Sequence, residues 1–166
     1  SGQKAKSVVE NARRQIADSI SAEPEQIIFT SGGTESNNQV LWYMLQNQKK
    51  HVISNDIEHP AVIKVLEFLK PFGLDNTLIN VDSDGIISID NVKKAINPQT
   101  SLISLMLANN EIGSIQPIKT VMDIARENNI MVHSDAVQCM GKMELDVIDL
   151  GVDFLSLSAH KFYGPK

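Results

Sequence analysis

The chain has 166 residues, 42% hydrophobic and 21% charged, proportions of a folded globular domain that exclude disorder, collagen and a long coiled coil. Fifteen basic against 20 acidic residues give a net charge of -5, and the basic pairs Arg13-Arg14, Lys49-Lys50 and Lys93-Lys94 are too dispersed for a nucleic-acid-binding face. A lone Cys139 excludes an intrachain disulfide and fits a reducing compartment, apolar runs such as 105–108 are too short to cross a bilayer, and no charged-then-apolar leader opens the stretch.

In chain order, Val9, Ala12, Ile16 and Ile20 recur at three- and four-residue spacing and predict a helix over 4–20. Pro24 follows, then a β-rich run at 27–30 bounded by Gly32-Gly33, read as a strand. A second helix is expected over about 35–48 and a short strand over 51–54. A third helix, marked by Val62, Val65, Leu66 and Leu69, follows Pro60. Residues 77–81 read as a strand, 82–85 as a turn and 89–96 as a helix. A strand over 101–108, a helix from near Pro117, a strand over 130–133 and a last strand over 153–158 complete the series. Strand and helix alternate throughout, without repeats or linkers. The pattern predicts one α/β domain over 1–166, a three-layer, mostly parallel sheet with helices on both faces.

In open α/β sheets, ligands bind where the strands end at their carboxyl edge, and that is where the polar motifs fall. Ser31-Gly32-Gly33-Thr34-Glu35 opens a helix, and glycines with free amides there suit a phosphate. The plainer alternative is a turn capped by Ser31 or Thr34. Glu58-His59-Pro60 and Asn109-Asn110-Glu111 follow two further strands. His133-Ser134-Asp135 ends another, with His133 and Asp135 on one side by alternation. A buried Asp135 requires a cation or several donors, or else acts as a cap; no His/Cys/Asp cluster completes a metal site around it. The last strand delivers Ser156, Ser158, His160 and Lys161. A lysine there suits a Schiff base, although a lone lysine is ordinarily surface decoration. A hydrolase reading lacks its GxSxG elbow. Five strand ends together suit one ligand with a phosphate, a ring and a ring nitrogen.

Thr30-Ser31-Gly32-Gly33-Thr34-Glu35-Ser36-Asn37, Glu58-His59, Leu107-Ala108-Asn109-Asn110-Glu111-Ile112-Gly113, His133-Ser134-Asp135-Ala136-Val137-Gln138 and Ser158-Ala159-His160-Lys161-Phe162-Tyr163-Gly164-Pro165-Lys166 stand in family-like order and spacing. Together they resemble the cysteine desulfurases of iron–sulfur cluster assembly, in the class V aminotransferase group. The resemblance implies pyridoxal 5'-phosphate as cofactor and the large domain of the aspartate-aminotransferase-like fold. It implies Lys161 as the Schiff-base lysine, Asp135 facing the pyridine nitrogen and His59 stacked on the ring. By the same resemblance, Gly33, Thr34, Ser158 and His160 surround the phosphate, while Asn110 and Gln138 lie near the substrate and ring hydroxyl. Ala159 stands where many relatives have glycine.

The implied reaction takes sulfur from L-cysteine, leaves L-alanine and builds a persulfide on an enzyme cysteine for a sulfur acceptor or iron–sulfur scaffold protein. In the family that cysteine lies on a loop well after the lysine, and Cys139 reads instead as structural. The family's first strand, its small domain and its carboxylate-gripping arginine have no counterpart in 1–166, so this stretch is expected to be a large-domain core. A homodimer in the cytoplasm or an organelle matrix is the family expectation. A selenocysteine lyase, whose cofactor half looks alike, is the enzymatic alternative. A non-catalytic domain that at most binds the cofactor is the alternative from another class.

Overall fold

Five strands form the centre of the molecule: β1 (His51–Asn55), β2 (Asp75–Ile79), β3 (Thr100–Met106), β4 (Met131–Asp135) and β5 (Phe154–Ser156). The computed structural model describes residues 2–164; Ser1 and the motif's closing Pro165 and Lys166 lie outside the described residues. All four strand pairings are parallel, in the order β2-β1-β3-β4-β5. The order reverses direction between β1 and β3, which makes that boundary a topological switch point.

Among the described residues six α-helices wrap the sheet: α1 (Gly2–Ser19), α2 (Gly33–Tyr43), α3 (Pro60–Leu69), α4 (Ile89–Ala95), α5 (Ile118–Glu127) and α6 (Val147–Leu150). Alternation along the strands sorts the core onto two faces. Val52 and Leu102 turn toward Leu41 of α2 and Val62, Leu66 and Leu69 of α3. Ile53 and Ile103, one residue further on, belong to the opposite core with Val92 of α4 and Val121, Met122 and Ala125 of α5. Each such fully buried aliphatic side chain contributes about 1.5–3 kcal/mol. The result is the three-layer parallel α/β architecture expected from the alternation of elements. No described helix is long and apolar enough to cross a membrane.

Several elements differ from expectation, β3 ending two residues early at Met106 and β4 running two residues further to Asp135 among them. Residues 27–30 form no strand: Ile28 is 74% and Phe29 46% exposed, and β propensity without a neighbouring strand makes no ladder. Arg13 of α1 holds the segment instead, donating to the Ile27 carbonyl and lying over the Phe29 ring. β2 starts and ends two residues early, because its register pairs Asp75 with His51, while Val81 makes an antiparallel bridge to Ile87. β5 is only three residues long. Finally, α6 lies in a stretch without helical periodicity; Asp146 caps it by accepting from the Ile148 and Asp149 amides, and Gly151 ends it at φ 71°.

Candidate functional site

At the carboxyl edge of the sheet a cleft of about 250 Å³ opens beside the switch point. All nine residues singled out from the sequence line it: Gly33, Thr34, His59, Asn110, Asp135, Gln138, Ser158, His160 and Lys161. They come from the start of α2, the loop after β1, the loop after β3, the end of β4 with its following turn, and the segment after β5. Sequence separations above 100 residues thus collapse to one wall-to-wall distance because parallel strands bring all their carboxyl ends to one edge.

Asp135 is the last residue of β4 and is 7% exposed. Its Oδ2 accepts from Asn37 Nδ2 at 2.7 Å, and its Oδ1 accepts from the Val137 amide at 3.0 Å. These two donors fix the orientation of the carboxyl group at the wall of the cleft. Asn37 is itself buried, and its Oδ1 has no partner. It also lines the cleft, one helical turn beyond Gly33 on the same face of α2. Sequence reasoning gave it no role, although the i,i+4 spacing from Gly33 was a usable signal.

No side chain caps α2, and its N-cap Gly32 sits at φ 152°, where glycine is favoured. The capping alternative therefore fails, and the first-turn amides keep their capacity for an anion. A Cβ on Gly33 would meet Val137 Cγ2 at 2.8 Å. The helix start thus approaches the turn after β4 too closely for any larger residue.

His59 is the N-cap of α3, where its Nδ1 accepts from the Ala61 amide at 3.1 Å. That bond orients the ring at the rim of the cleft. Across the cleft, Ser158 Oγ pairs with His160 Nδ1 at 2.9 Å, and a short 3₁₀ turn (Ala159–Phe162) carries Lys161, which is exposed. Gln138 Oε1 accepts from Lys142 Nζ at 3.2 Å. Met106, Ala108 and Val137 supply the apolar part of the wall.

Two titratable groups beside the cleft do not enter it. His133 lies fully buried between Ser104 Oγ (2.8 Å) and Ser156 Oγ (2.9 Å), and burial pushes its pKa down to about 4 against the opposing pull of Asp135. Cys139 is 1% exposed, and burial, with Asp135 adding to it, pushes its thiol up to about 11. Such a thiol is a poor nucleophile at neutral pH, in keeping with its reading as structural. Among the described residues no group of three or more His, Cys, Asp or Glu is placed to hold a metal ion.

Comparison with known proteins bears on the chain as a whole. The aminotransferase class-V family model matches residues 1–166. A cysteine desulfurase IscS of Dictyoglomus turgidum is 47% identical over 168 residues, covering 99% of this chain and 43% of the relative. A mitochondrial cysteine desulfurase of Eremothecium gossypii is 47% identical over 161 residues, 95% of this chain and 33% of the relative. Among solved structures, SspA in complex with cysteine superposes with a TM-score of 0.93 at 41% identity, covering 99% of this chain and 48% of that one. A NifS-like protein gives 0.94 at 38%, with coverages of 99% and 47%. The chain spans a third to a half of the length of these relatives. Matched along its whole length in sequence and in fold, the chain belongs to the aminotransferase class-V family.

Proposed function

We propose that this chain is the cofactor-bearing core, residues 1–166 of the large domain, of a pyridoxal-phosphate-dependent cysteine desulfurase. The observation that carries the reading is the convergence of nine residues from five separate segments on one cleft, with a fixed carboxylate on one side and an exposed lysine on another. Cysteine in the structure of the SspA relative supports L-cysteine as the substrate.

The residues present fit the cofactor. The uncapped start of α2 with Gly33 and Thr34, together with Ser158 and His160, would hold its phosphate. Asp135, oriented by Asn37, would face the ring nitrogen and favour its protonated form. His59 would cover the ring face, and Asn110 and Gln138 would contact its hydroxyl and the substrate. Pyridoxal phosphate, when bound, supplies an electron sink for a substrate amine. Lys161 Nζ would carry the cofactor at rest and, once free, move the substrate's α-proton.

Cys139 is too buried and its thiol too weakly acidic to receive sulfur. We therefore assign sulfur acceptance to a cysteine elsewhere in a longer enzyme, a homodimer of the cytoplasm or an organelle matrix that hands sulfur to an acceptor or scaffold protein. The same observation favours a second reading for residues 1–166 taken alone, a domain that binds the cofactor without turnover. Incubation with pyridoxal phosphate tests the first step: a visible absorbance band should appear and be lost in Lys161→Ala. A chain that develops no band, or a band indifferent to that substitution, overturns the assignment. Added L-cysteine should yield alanine only with the whole enzyme, and vigorous turnover by residues 1–166 refutes the missing-nucleophile argument. A preference for selenocysteine in that assay would make the enzyme a selenocysteine lyase.

A further inference from the structure

At the switch point the sheet comes apart. β1 and β3 pair only as far as Ile53 with Ile103, leaving the backbone at the end of β3 without a strand neighbour on that side. Glu58, from the loop after β1, fills the gap. Its Oε1 accepts from the Met106 amide at 2.6 Å and from Asn55 Nδ2 at 2.8 Å. A parallel tie runs from Asn109 Nδ2 to the Ile57 carbonyl at 2.9 Å. The loop after β1 is thus tied at Glu58 to the end of β3 and at Ile57 to the loop that follows β3, immediately before His59.

The carboxyl doing this is 4% exposed. No cation pairs with it: the ion pairs among the described residues are Arg13 with Glu10 and Lys119 with Asp149. Its second oxygen, Oε2, is buried and unpartnered. An ionised carboxylate buried with one bare oxygen and no counter-ion is costly, whereas a carboxylic acid with Oε1 as its carbonyl satisfies both observed bonds. The charged group facing it is Asp135 on β4; β3 presents the Met106 amide and the end of β1 presents Asn55, neither titratable. The neighbouring His59 turns its Nδ1 to the start of α3.

We propose that Glu58 is a positioning residue of the candidate site and works as a neutral carboxylic acid, clamping the loop that carries His59 to β3 while leaving Asp135 the carboxylate of the cleft. The inference rests on the reading of His59 and Asp135 as cofactor contacts. Burial, with Asp135 adding to it and the two hydrogen bonds opposing, raises the Glu58 pKa from 4.5 to about 8, in keeping with the geometry.

The test compares the wild type with Glu58→Gln and Glu58→Ala. Gln keeps a carbonyl oxygen for both donors and carries no charge; Ala removes the clamp. The Glu58 carboxyl carbon, followed by NMR in selectively labelled protein, should titrate near 8. Amide-exchange protection of residues 56–59 should survive in Glu58→Gln and be lost in Glu58→Ala. Glu58→Gln should bind pyridoxal phosphate as the wild type does, and Glu58→Ala about tenfold more weakly, the equivalent of one buried hydrogen bond. The pH dependence of the visible band near 8 should vanish in Glu58→Gln, a change that a merely structural role would not produce. Titration in the ordinary carboxylate range, equal damage from both substitutions, or an unperturbed Glu58→Ala each overturns the proposal. A wild type that takes up no pyridoxal phosphate defeats the functional reading, while the titration and the exchange data still decide the state and the clamp of Glu58. If Glu58→Ala fails to fold, the wild-type titration and Glu58→Gln decide alone.

Discussion

Replacing His133 with Asn should change how stability depends on pH, in addition to the cost of removing a fully buried ring with two hydrogen bonds. In the fold, burial lowers the His133 pKa from 6.5 to about 4. Between those values the unfolded chain binds the extra proton, so stability rises with pH and is lost as pH falls through that window. At about 1.4 kcal/mol per pH unit the full swing is about 3 kcal/mol. Glu58 acts with the opposite sign. Its pKa rises from 4.5 to about 8, so the native state binds the extra proton and stability falls as pH rises across that window, by about 5 kcal/mol in full. Between pH 4.5 and 6.5 the two slopes cancel, and above 6.5 the Glu58 slope stands alone, worth about 2 kcal/mol by pH 8. Urea unfolding at half-unit pH steps should therefore show a plateau and then a decline for the wild type. His133→Asn should decline continuously from pH 4.5. A His133→Asn profile that keeps the plateau, or a His133 ring that titrates near its ordinary value, would refute the reasoning.

Two further outcomes follow from local geometry. Gly33→Ala drives a Cβ against Val137 Cγ2 at 2.8 Å and should cost about 1–3 kcal/mol in thermal or urea unfolding; Val137→Ala in the same chain should recover most of it, and strict additivity of the two would show that the contact is not the cause. Cys139, with its thiol raised to about 11, should resist iodoacetamide at neutral pH in the folded chain and react quickly in urea, so rapid alkylation without denaturant would contradict its burial.

Strand ends were legible because chemistry and periodicity change at the same residue. Asp135 sits where the apolar run 130–132 gives way to polar residues, and His59 sits directly before Pro60, a helix-start signal. Both lie at the predicted edge of the sheet. Residues 27–30 misled for the converse reason: isoleucine and phenylalanine indicate a pleated surface, but a ladder needs a neighbour that composition cannot supply. α6 was missed because four residues carry no periodicity, although Asp146 and Gly151 were readable as its two ends. Asn37 and Glu58 escaped a role because their importance lies in what they touch. Asn37 meets Asp135 across 98 residues of chain, and Glu58 meets Met106 across 48.

The same strands carry two kinds of polar residue, and position along the strand separates them. Within the sheet, Ser54 Oγ donates to the Ser104 carbonyl, Ser104 pairs with His133, and His133 pairs with Ser156. Every side chain in this row finds its partner on an adjacent strand, so the row satisfies itself and offers nothing to a ligand. At the last paired residues of β4 and in the segments that follow the strands, the same kinds of group find partners in helices and loops or leave capacity unused. Asp135 takes one donor from a helix and one from its own turn, Glu58 bridges the split between β1 and β3, and Asn37 Oδ1 and Glu58 Oε2 remain unpartnered. Unspent hydrogen-bonding capacity therefore collects at the carboxyl edge for a topological reason, where parallel pairing runs out around the switch point. A phosphate-and-ring ligand bound there would meet fixed polar groups already free of competing strand partners, which is the preorganisation that catalysis requires.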